Sequence, residues 1–431
     1  MMSARLGFPF LLAFVVIDYL RPPDWIGPLA GTPIAIVAVL PVAVCLLGTL
    51  QRNVILDPVS VAMASIVAFA AAWVPFATNN FWAFQAFKFM LVAWIAMLAI
   101  ATFVDRPARL RALLALLLAI FSVEAISALR SGGHGNNTYF GDENDLALGL
   151  NIALPFAVLG IGAVRGLVTK AALLAASVLL VAGVVASSSR GGLVGLAAAA
   201  GAAALISRRR LAVLLGMLLA VSALASLAPD AYWADMRTMF DPADVTREER
   251  VHQWHDARTV WRDNLWLGVG PGNVPWVMAA YEKYDDLAGR SMAGRAVHSA
   301  YFTVLPEFGL FGTALYVFLL GATATHCAVV IRRGRGQLAP AADPWARAIL
   351  ASGIACLTGA AFISVLLYPH LYYLAGLSMA VRSIGLGAAA PQPAQHVVAW
   401  AVPLPSPFDR GSASATRSTP FGVDPVRGLR S

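Results

Sequence analysis

Long apolar runs recur along the chain as far as residue 388, separated by short polar stretches and by one long polar loop at residues 229–299. A helix needs roughly 20 apolar residues to cross a bilayer, and this pattern recurs along the sequence. Twelve candidate spans follow, at residues 6–20, 30–50, 58–77, 83–104, 110–129, 145–163, 170–188, 191–207, 210–228, 300–331, 345–367 and 370–388. The first is short, so it requires tilt or local thinning of the bilayer. The pattern predicts an all-α, polytopic integral membrane protein with about twelve transmembrane helices.

The composition agrees with this prediction, because 59% of the residues are hydrophobic and only 13% are charged. Soluble domains carry about 25% charged residues. The net charge of +8 could suggest nucleic-acid binding. However, most of the basic residues lie in short loops between spans, where they fix topology. No basic face with interleaved aromatic residues is present, so no nucleic-acid partner is expected.

The loop cations also predict an orientation. They follow the even-numbered spans, as Arg52, Arg106, Arg109, Arg111, Arg165, Lys170, Arg208, Arg209, Arg210, Arg332, Arg333 and Arg335. By the positive-inside rule, both termini are then cytoplasmic. Arg190 and the long loop 229–299 face the opposite, periplasmic side. The N-terminus resembles a signal peptide but lacks a small-x-small cleavage site before Asp18, which favours a retained first span.

Three regions are expected along the chain. Residues 1–130 hold the N-terminal transmembrane helices, and residues 131–388 hold a core that includes the loop 229–299. Residues 389–431 are rich in Pro, Ser, Ala and Gly, which predicts a disordered cytoplasmic tail. The cysteines lie inside apolar runs without metal-ligand spacing, so burial is expected for Cys45, Cys327 and Cys356.

The loop 229–299 contains TREERVHQWHDARTVW, which has the period of a helix. Thr246 and Glu249 have the spacing of a capping box. One face is rich in Trp and Arg, which suits the headgroup boundary. It carries Arg250, Trp254, Ala257, Arg258 and Trp261.

Arg190 lies between two apolar runs, in ASSSRGGLVG. A charge at the membrane edge is costly and suggests a function, and a guanidinium binds phosphate oxygens through two parallel hydrogen bonds. Ser187–Ser189 and Gly191–Gly192 would offer donors and close backbone approach. The alternative is an arginine whose charged end simply reaches the interface.

A second candidate stretch is VHSAYFTVLPEFGLFG, at residues 297–312. His298 could exchange protons near neutral pH, or could be an interfacial histidine packed beside Tyr301. Glu307 lies inside the apolar run, where it could orient an arginine or form a structural ion pair, and the structural role is favoured. Pro306 is a candidate for a helix kink.

Weaker signals occupy two loops. LWLGVGPGN, at 265–273, predicts a tight turn that returns the chain to the membrane. His252 and His255 have a spacing that could bind metal, but no ligand cluster surrounds them, so no metal site is expected. In GGHGNNTYFGDENDLALGLN, three carboxylates precede a span and suit helix capping: Asp142, Glu143 and Asp145. The neighbouring Asn144 could instead contact a polar ligand. No nucleotide-binding loop or nucleophile elbow is present.

Together, ASSSRGGLVG, RVHQW…NLWLGVGPGN and HSAYFTVLPEFGLFG resemble the O-antigen ligase and polymerase superfamily of bacterial envelopes, in order and in topology. The resemblance covers about residues 135–375. VIDYLRPPDW, at 16–25, and GDENDLALGLN resemble a narrower branch, the exosortase-associated O-glycosylation ligases.

The resemblance implies transfer of a glycan from an undecaprenyl-diphosphate carrier to an acceptor hydroxyl on a lipid, glycan or protein, without a nucleotide or metal cofactor. Arg190 and Arg250 would hold the diphosphate, and His298 would orient or deprotonate the acceptor. Asn144, Tyr301 and Glu307 complete the expected substrate-binding set. Many relatives have His-Asn where this chain has His298-Ser299, so a role for that amide is in doubt. A repeat-unit polymerase and a lipid-linked glycan transporter without chemistry remain alternatives.

Overall fold

The computed structural model describes residues 2–228, 230–238, 245–282, 294–334 and 341–387. Within these ranges the secondary structure is helical, with no strand. The α-helices are α1 Met2–Leu20, α2 Ile34–Leu47, α3 Arg52–Ile55, α4 Pro58–Trp73, α5 Asn80–Phe103, α6 Pro107–Ser131, α7 Glu143–Ala163, α8 Leu167–Ala186, α9 Arg190–Ile206, α10 Arg210–Leu227, α11 Asp230–Arg237, α12 Val245–Asp263, α13 Val274–Val277, α14 Tyr301–Gly334, α15 Asp343–Gly359 and α16 His370–Gly385. The predicted tail, 389–431, lies outside the described residues.

Each of the twelve predicted runs overlaps one of these helices, which confirms an all-helical, polytopic membrane protein. Six described helices are long and apolar enough to cross a bilayer: α1, α5, α6, α7, α8 and α14. Four more are apolar but shorter, namely α2, α4, α9 and α10. The count of twelve spans stays a prediction. The eleventh run, predicted to continue to residue 367, ends as an α-helix at Gly359 and is followed by a turn and the 3-10 helix Val365–Leu367.

Contacts between helix ends agree with alternating crossings. At one face, Arg208 after α9 lies 3.0 Å from the carboxylate of Asp343 at the start of α15. At the other, the Thr138 amide donates to Asp24 at 2.9 Å, and the Asn79 amide donates to Asn273 at 2.7 Å. Each pair joins ends that the loop charges assign to one side. Which face is cytoplasmic stays a prediction.

Helix α7 lies at the centre of the bundle, packed on α8, α9 and α15. Small residues permit these close approaches, because a bare glycine lets two helix backbones come together. A Cβ at Gly192 of α9 would lie 2.6 Å from Ala147 of α7, and one at Gly195 would lie 2.8 Å from the Asn151 side chain. Asn151 in turn donates to the Gly192 carbonyl at 2.9 Å.

Helix α14 is interrupted at Gly309, whose φ of 59° is non-helical. The expected kink at Pro306 is therefore displaced by three residues. The segment 265–270 inserts into this break. The amides of Leu310 and Phe311 donate to the carbonyls of Leu265 and Trp266, instead of to residues one turn back in their own helix.

The carbonyls freed in this way, those of Pro306 and Glu307, accept from Val269 and Gly270 at 2.8 and 3.0 Å. We call this arrangement of residues 265–270 with 306–311 the α14 insert. It replaces two intrahelical hydrogen bonds with four bonds between the long loop and the membrane helix. The loop is thereby fixed to α14.

Candidate functional site

Arg190 is the first residue of α9 and is half-buried, directly after a sharp turn from α8. Ser188 has a left-handed backbone, with φ of 50°. Ser189 is the N-cap of α9, since its hydroxyl accepts from the Gly192 amide at 2.8 Å. The Ser187 hydroxyl is buried and donates to the Val184 carbonyl. These serines build the turn that places Arg190 at the end of its helix.

The serines and glycines that flank Arg190 contact neighbouring parts of the protein, and a ligand contact at these residues stays a prediction. The Ser187 hydroxyl bonds within the turn, whereas the Ser189 hydroxyl accepts in the helix cap and donates to Asn144 of α7. A Cβ at Gly191 would lie 3.2 Å from Phe362, and Gly192 faces Ala147. The absence of side chains here permits contact with neighbouring protein segments, so Arg190 carries the candidate chemistry of this motif.

Asn144 connects the start of α7 with the start of α9. Its side-chain oxygen accepts from the Ser189 hydroxyl at 2.7 Å. Its backbone amide donates to Asp142 at 2.8 Å, which confirms Asp142 as the N-cap of α7. Asn144 therefore lies beside the residue that precedes Arg190. A direct contact between Asn144 and a ligand stays a prediction.

His298 lies at the surface just before α14, with a left-handed φ of 52°. Partial burial, and then the positive charge of Arg250, lower the pKa of the His298 imidazole from its ordinary value. The carboxylates of Asp142 and Glu143 act in the opposite direction. The result favours a neutral imidazole at pH 7, which can accept a proton. The hydrogen bond from Trp254 of α12 to the Val297 carbonyl places α12 beside this histidine.

The backbone around His298 is held by the segment that follows α15. The Ala300 amide donates to the Ala360 carbonyl at 2.8 Å, and the Tyr301 hydroxyl donates to the Leu357 carbonyl at 2.7 Å. The same segment carries Phe362, which contacts the α9 start at Gly191. Residues 357–362 thus bridge the histidine and arginine motifs. Sequence reasoning missed this bridge, because its apolar residues look like the end of a span.

The predicted loop helix is confirmed as α12, although its surroundings differ from the expectation. Trp254 stacks on Phe302 of α14, with ring centroids 5.2 Å apart, and its indole nitrogen donates to the Val297 carbonyl. Ala257 is buried and Arg258 is exposed, so the predicted headgroup face is divided between packing and surface. α12 begins by Val245 and already includes Thr246, so the predicted capping position is too late.

Glu307 holds the loop that follows the α14 insert. It is only 3% exposed, and its carboxylate accepts from the backbone amides of residues 272–274, including Val274 at 3.3 Å. The predicted tight turn is confirmed, since Gly268, Gly270 and Gly272 all have positive φ. Glu307 has a structural role here. Contacts of Glu307 or Tyr301 with substrate stay predictions.

The histidines of α12 have carboxylate neighbours. His255 lies 3.6 Å from Asp256, and His252 lies 3.9 Å from Glu248. In the part of the chain that the structure describes, no three His, Cys, Asp or Glu residues are grouped as metal ligands. The three cysteines are buried and unpaired with one another, as expected from their apolar runs.

The structure thus brings together the starts of α7 and α9, the His298 segment and residues 357–362, and α12 packs against the His298 segment. A fixed cation at the start of α9, a second cation on α12 and a largely neutral histidine are suited to an anionic ligand beside a proton acceptor.

A known protein family matches part of the chain. Residues 175–317, from within α8 to within α14, match the family described as O-Antigen ligase. No curated protein matches the chain. The match confirms the resemblance to the O-antigen ligase superfamily and supports glycan transfer of the ligase or polymerase type. It does not include residues 16–25 or 141–151, so the narrower branch stays a prediction.

Proposed function

We propose that this protein transfers a glycan from an undecaprenyl-diphosphate carrier to an acceptor hydroxyl at the periplasmic face of the inner membrane. The observation that carries the proposal is geometric. Asn144 ties the α7 start to the turn before Arg190, and residues 360–362 bind both the backbone next to His298 and the α9 start. Trp254 of α12, the helix that carries Arg250, donates to the Val297 carbonyl beside His298.

In the proposed reaction, the bond between the anomeric carbon and the diphosphate oxygen breaks, and its electron pair stays on the diphosphate. The acceptor oxygen forms the new bond to the same carbon and gives its proton to the neutral ring of His298. Arg190 and Arg250 stabilise the negative charge that grows on the leaving group, since fixed cations need no reorganisation at that moment. Attack from the face opposite the diphosphate inverts the anomeric centre, which NMR of the product would test.

Two features favour chemistry over simple transport of the carrier lipid. A transporter would need the spans and a cation for the diphosphate, but it gives no role to His298. The α14 insert also fixes the long loop to the helix that follows His298 in the chain, as expected where reacting groups must keep their positions.

The test is a reconstituted transfer assay with native lipid-linked glycan and candidate acceptors. We expect wild-type protein to release undecaprenyl diphosphate and form product, and Arg190→Ala and His298→Ala to fail although they insert and fold. Transfer by both variants at the wild-type rate would overturn the assigned site. Movement of the lipid across the bilayer without carrier release would establish a transporter instead. Long products of repeated units would establish a polymerase.

A further inference from the structure

Three non-glycine residues within the described ranges have a left-handed backbone: Arg21, Ser188 and His298, with φ of 45°, 50° and 52°. This conformation is unfavourable outside glycine and persists where the surrounding structure fixes it, commonly near functional sites. Ser188 and His298 belong to the candidate site. Arg21 belongs to VIDYLRPPDW, a stretch for which the proposed reaction has no role.

Arg21 is fixed by charge and by ring contacts. Its Nε donates to the Asp24 carboxylate at 2.9 Å, and its guanidinium lies 4.5 Å from the centre of the Tyr139 ring. Asp24 also accepts from the backbone amide of Thr138 at 2.9 Å. The 21–25 segment is therefore bound to the loop that leads into α7.

A chain of contacts connects this segment with the candidate site. The ring of Tyr139 packs edge-on against Tyr368, with centroids 5.4 Å apart. The Tyr368 hydroxyl donates to Asp145 at 2.6 Å. Asp145 directly follows Asn144, whose side chain binds Ser189. The segment and Arg190 thus lie on the same face of the protein, with the first turn of α7 between them.

The surface of this segment combines an apolar ring with polar groups. Trp25 is 58% exposed, yet its indole is fixed, because Nε1 donates to the Leu20 carbonyl at 2.8 Å. Four residues earlier, the Arg21 side chain is 36% exposed, and that of its partner Asp24 is 21% exposed. A pyranose ring has an apolar C–H face and a rim of hydroxyls, so it can pack on an indole while the rim bonds to a guanidinium and a carboxylate.

We propose that Trp25, Arg21 and Asp24 form a subsite that binds a pyranose ring of the glycan donor or acceptor. The proposal rests on the proposed function, which requires both glycans near Arg190 and His298. The simpler role for Trp25 is an anchor at the membrane boundary. A membrane anchor gives no role to the exposed parts of the Arg21 and Asp24 side chains, which the hydroxyl rim of a pyranose would contact.

Saturation-transfer NMR with the full chain in nanodiscs tests the subsite. The probes are methyl glycosides of a hexose, an N-acetylhexosamine and a hexuronic acid. We expect signal from at least one, weakened about fivefold or more by Trp25→Ala and by Arg21→Gln. Trp25→Phe, which keeps an aromatic ring, should retain most of it. Trp82→Ala is the matched control, because Trp82 is 43% exposed and packs on Trp276.

Adding undecaprenyl-diphosphate-linked glycan distinguishes the two sources of the sugar. Displacement of the glycoside assigns the subsite to the donor, and continued binding assigns it to the acceptor. Equal signals from wild type, Trp25→Ala and Arg21→Gln, or no binding of any glycoside, would overturn the subsite. Trp25-dependent binding without transfer in the reconstituted assay would overturn the proposed function but leave the subsite standing.

Discussion

Replacing Gly309 by alanine should release the long loop from α14. The new Cβ would lie 2.4 Å from the Trp266 carbonyl and 2.6 Å from the Gly268 nitrogen, so main-chain atoms must move. The φ of 59° adds strain for any residue with a side chain. Gly321, in the same helix, is the matched control, because a Cβ there meets nothing within 4 Å.

The magnitude follows from the hydrogen bonds. Straightening α14 breaks the four bonds of the insert and restores two within the helix. A net loss of two bonds, with further lost packing, lowers the free energy of unfolding by about 2–4 kcal/mol. Gly321→Ala should be neutral, or stabilising by up to about 1 kcal/mol, because alanine favours helix more than glycine does.

The assay is denaturant-induced unfolding in detergent micelles, together with limited proteolysis of residues 264–273. Gly309→Ala should unfold at lower denaturant and be cleaved faster in the loop, whereas Gly321→Ala should behave as wild type. Gly309→Ala should also lose transfer activity, because the loop connects α12, which carries Arg250, to the His298 region. Equal stability and equal cleavage of the two variants would refute the inserted loop as a structural support.

Three further predictions concern the site. Glu307→Gln should lower the free energy of unfolding by about 1–3 kcal/mol, because an NH₂ group replaces one of the carboxylate oxygens that accept from buried backbone amides. Chemical unfolding checks this prediction, and an unchanged unfolding midpoint contradicts it. Ser189→Ala should lower the free energy of unfolding by about 1–2 kcal/mol, because the α9 cap and the bond to Asn144 are both lost. Ser65→Ala, at an exposed hydroxyl of α4, is the control and should change stability little in the same experiment. The acidic limb of kcat/KM against pH should lie below the ordinary histidine pKa of about 6.5, because burial and Arg250 favour neutral His298. Arg250→Gln should move that limb to higher pH, because it removes a positive charge that lowers the pKa of His298. A limb that does not move would show that His298 is not the group whose protonation limits the rate.

The sequence by itself determined where the apolar helices are. Apolar runs of this length have few alternatives in a bilayer, and each predicted run overlaps a helix, whereas the short helices α3, α11 and α13 were not predicted. The capping role of Asp142 and the tight turn around Gly268–Gly272 were also predictable, since both depend on neighbours only a few residues away. Some predictions from local sequence were displaced by a few residues, such as the helix break, which lies at Gly309 instead of Pro306.

Only the tertiary structure decided which polar residues meet. Glu307 could be recognised as a costly charge, but its partners are backbone amides more than 30 residues away, and no local pattern marks an amide as a partner. The flanking glycines of Arg190 have the composition of a ligand site, yet they face Phe362 and Ala147. The link from Arg21 through Tyr139 and Tyr368 to Asp145 likewise joins three distant segments. Such contacts depend on how helices pack across the bundle, and an apolar sequence that suits lipid on every side does not specify that packing.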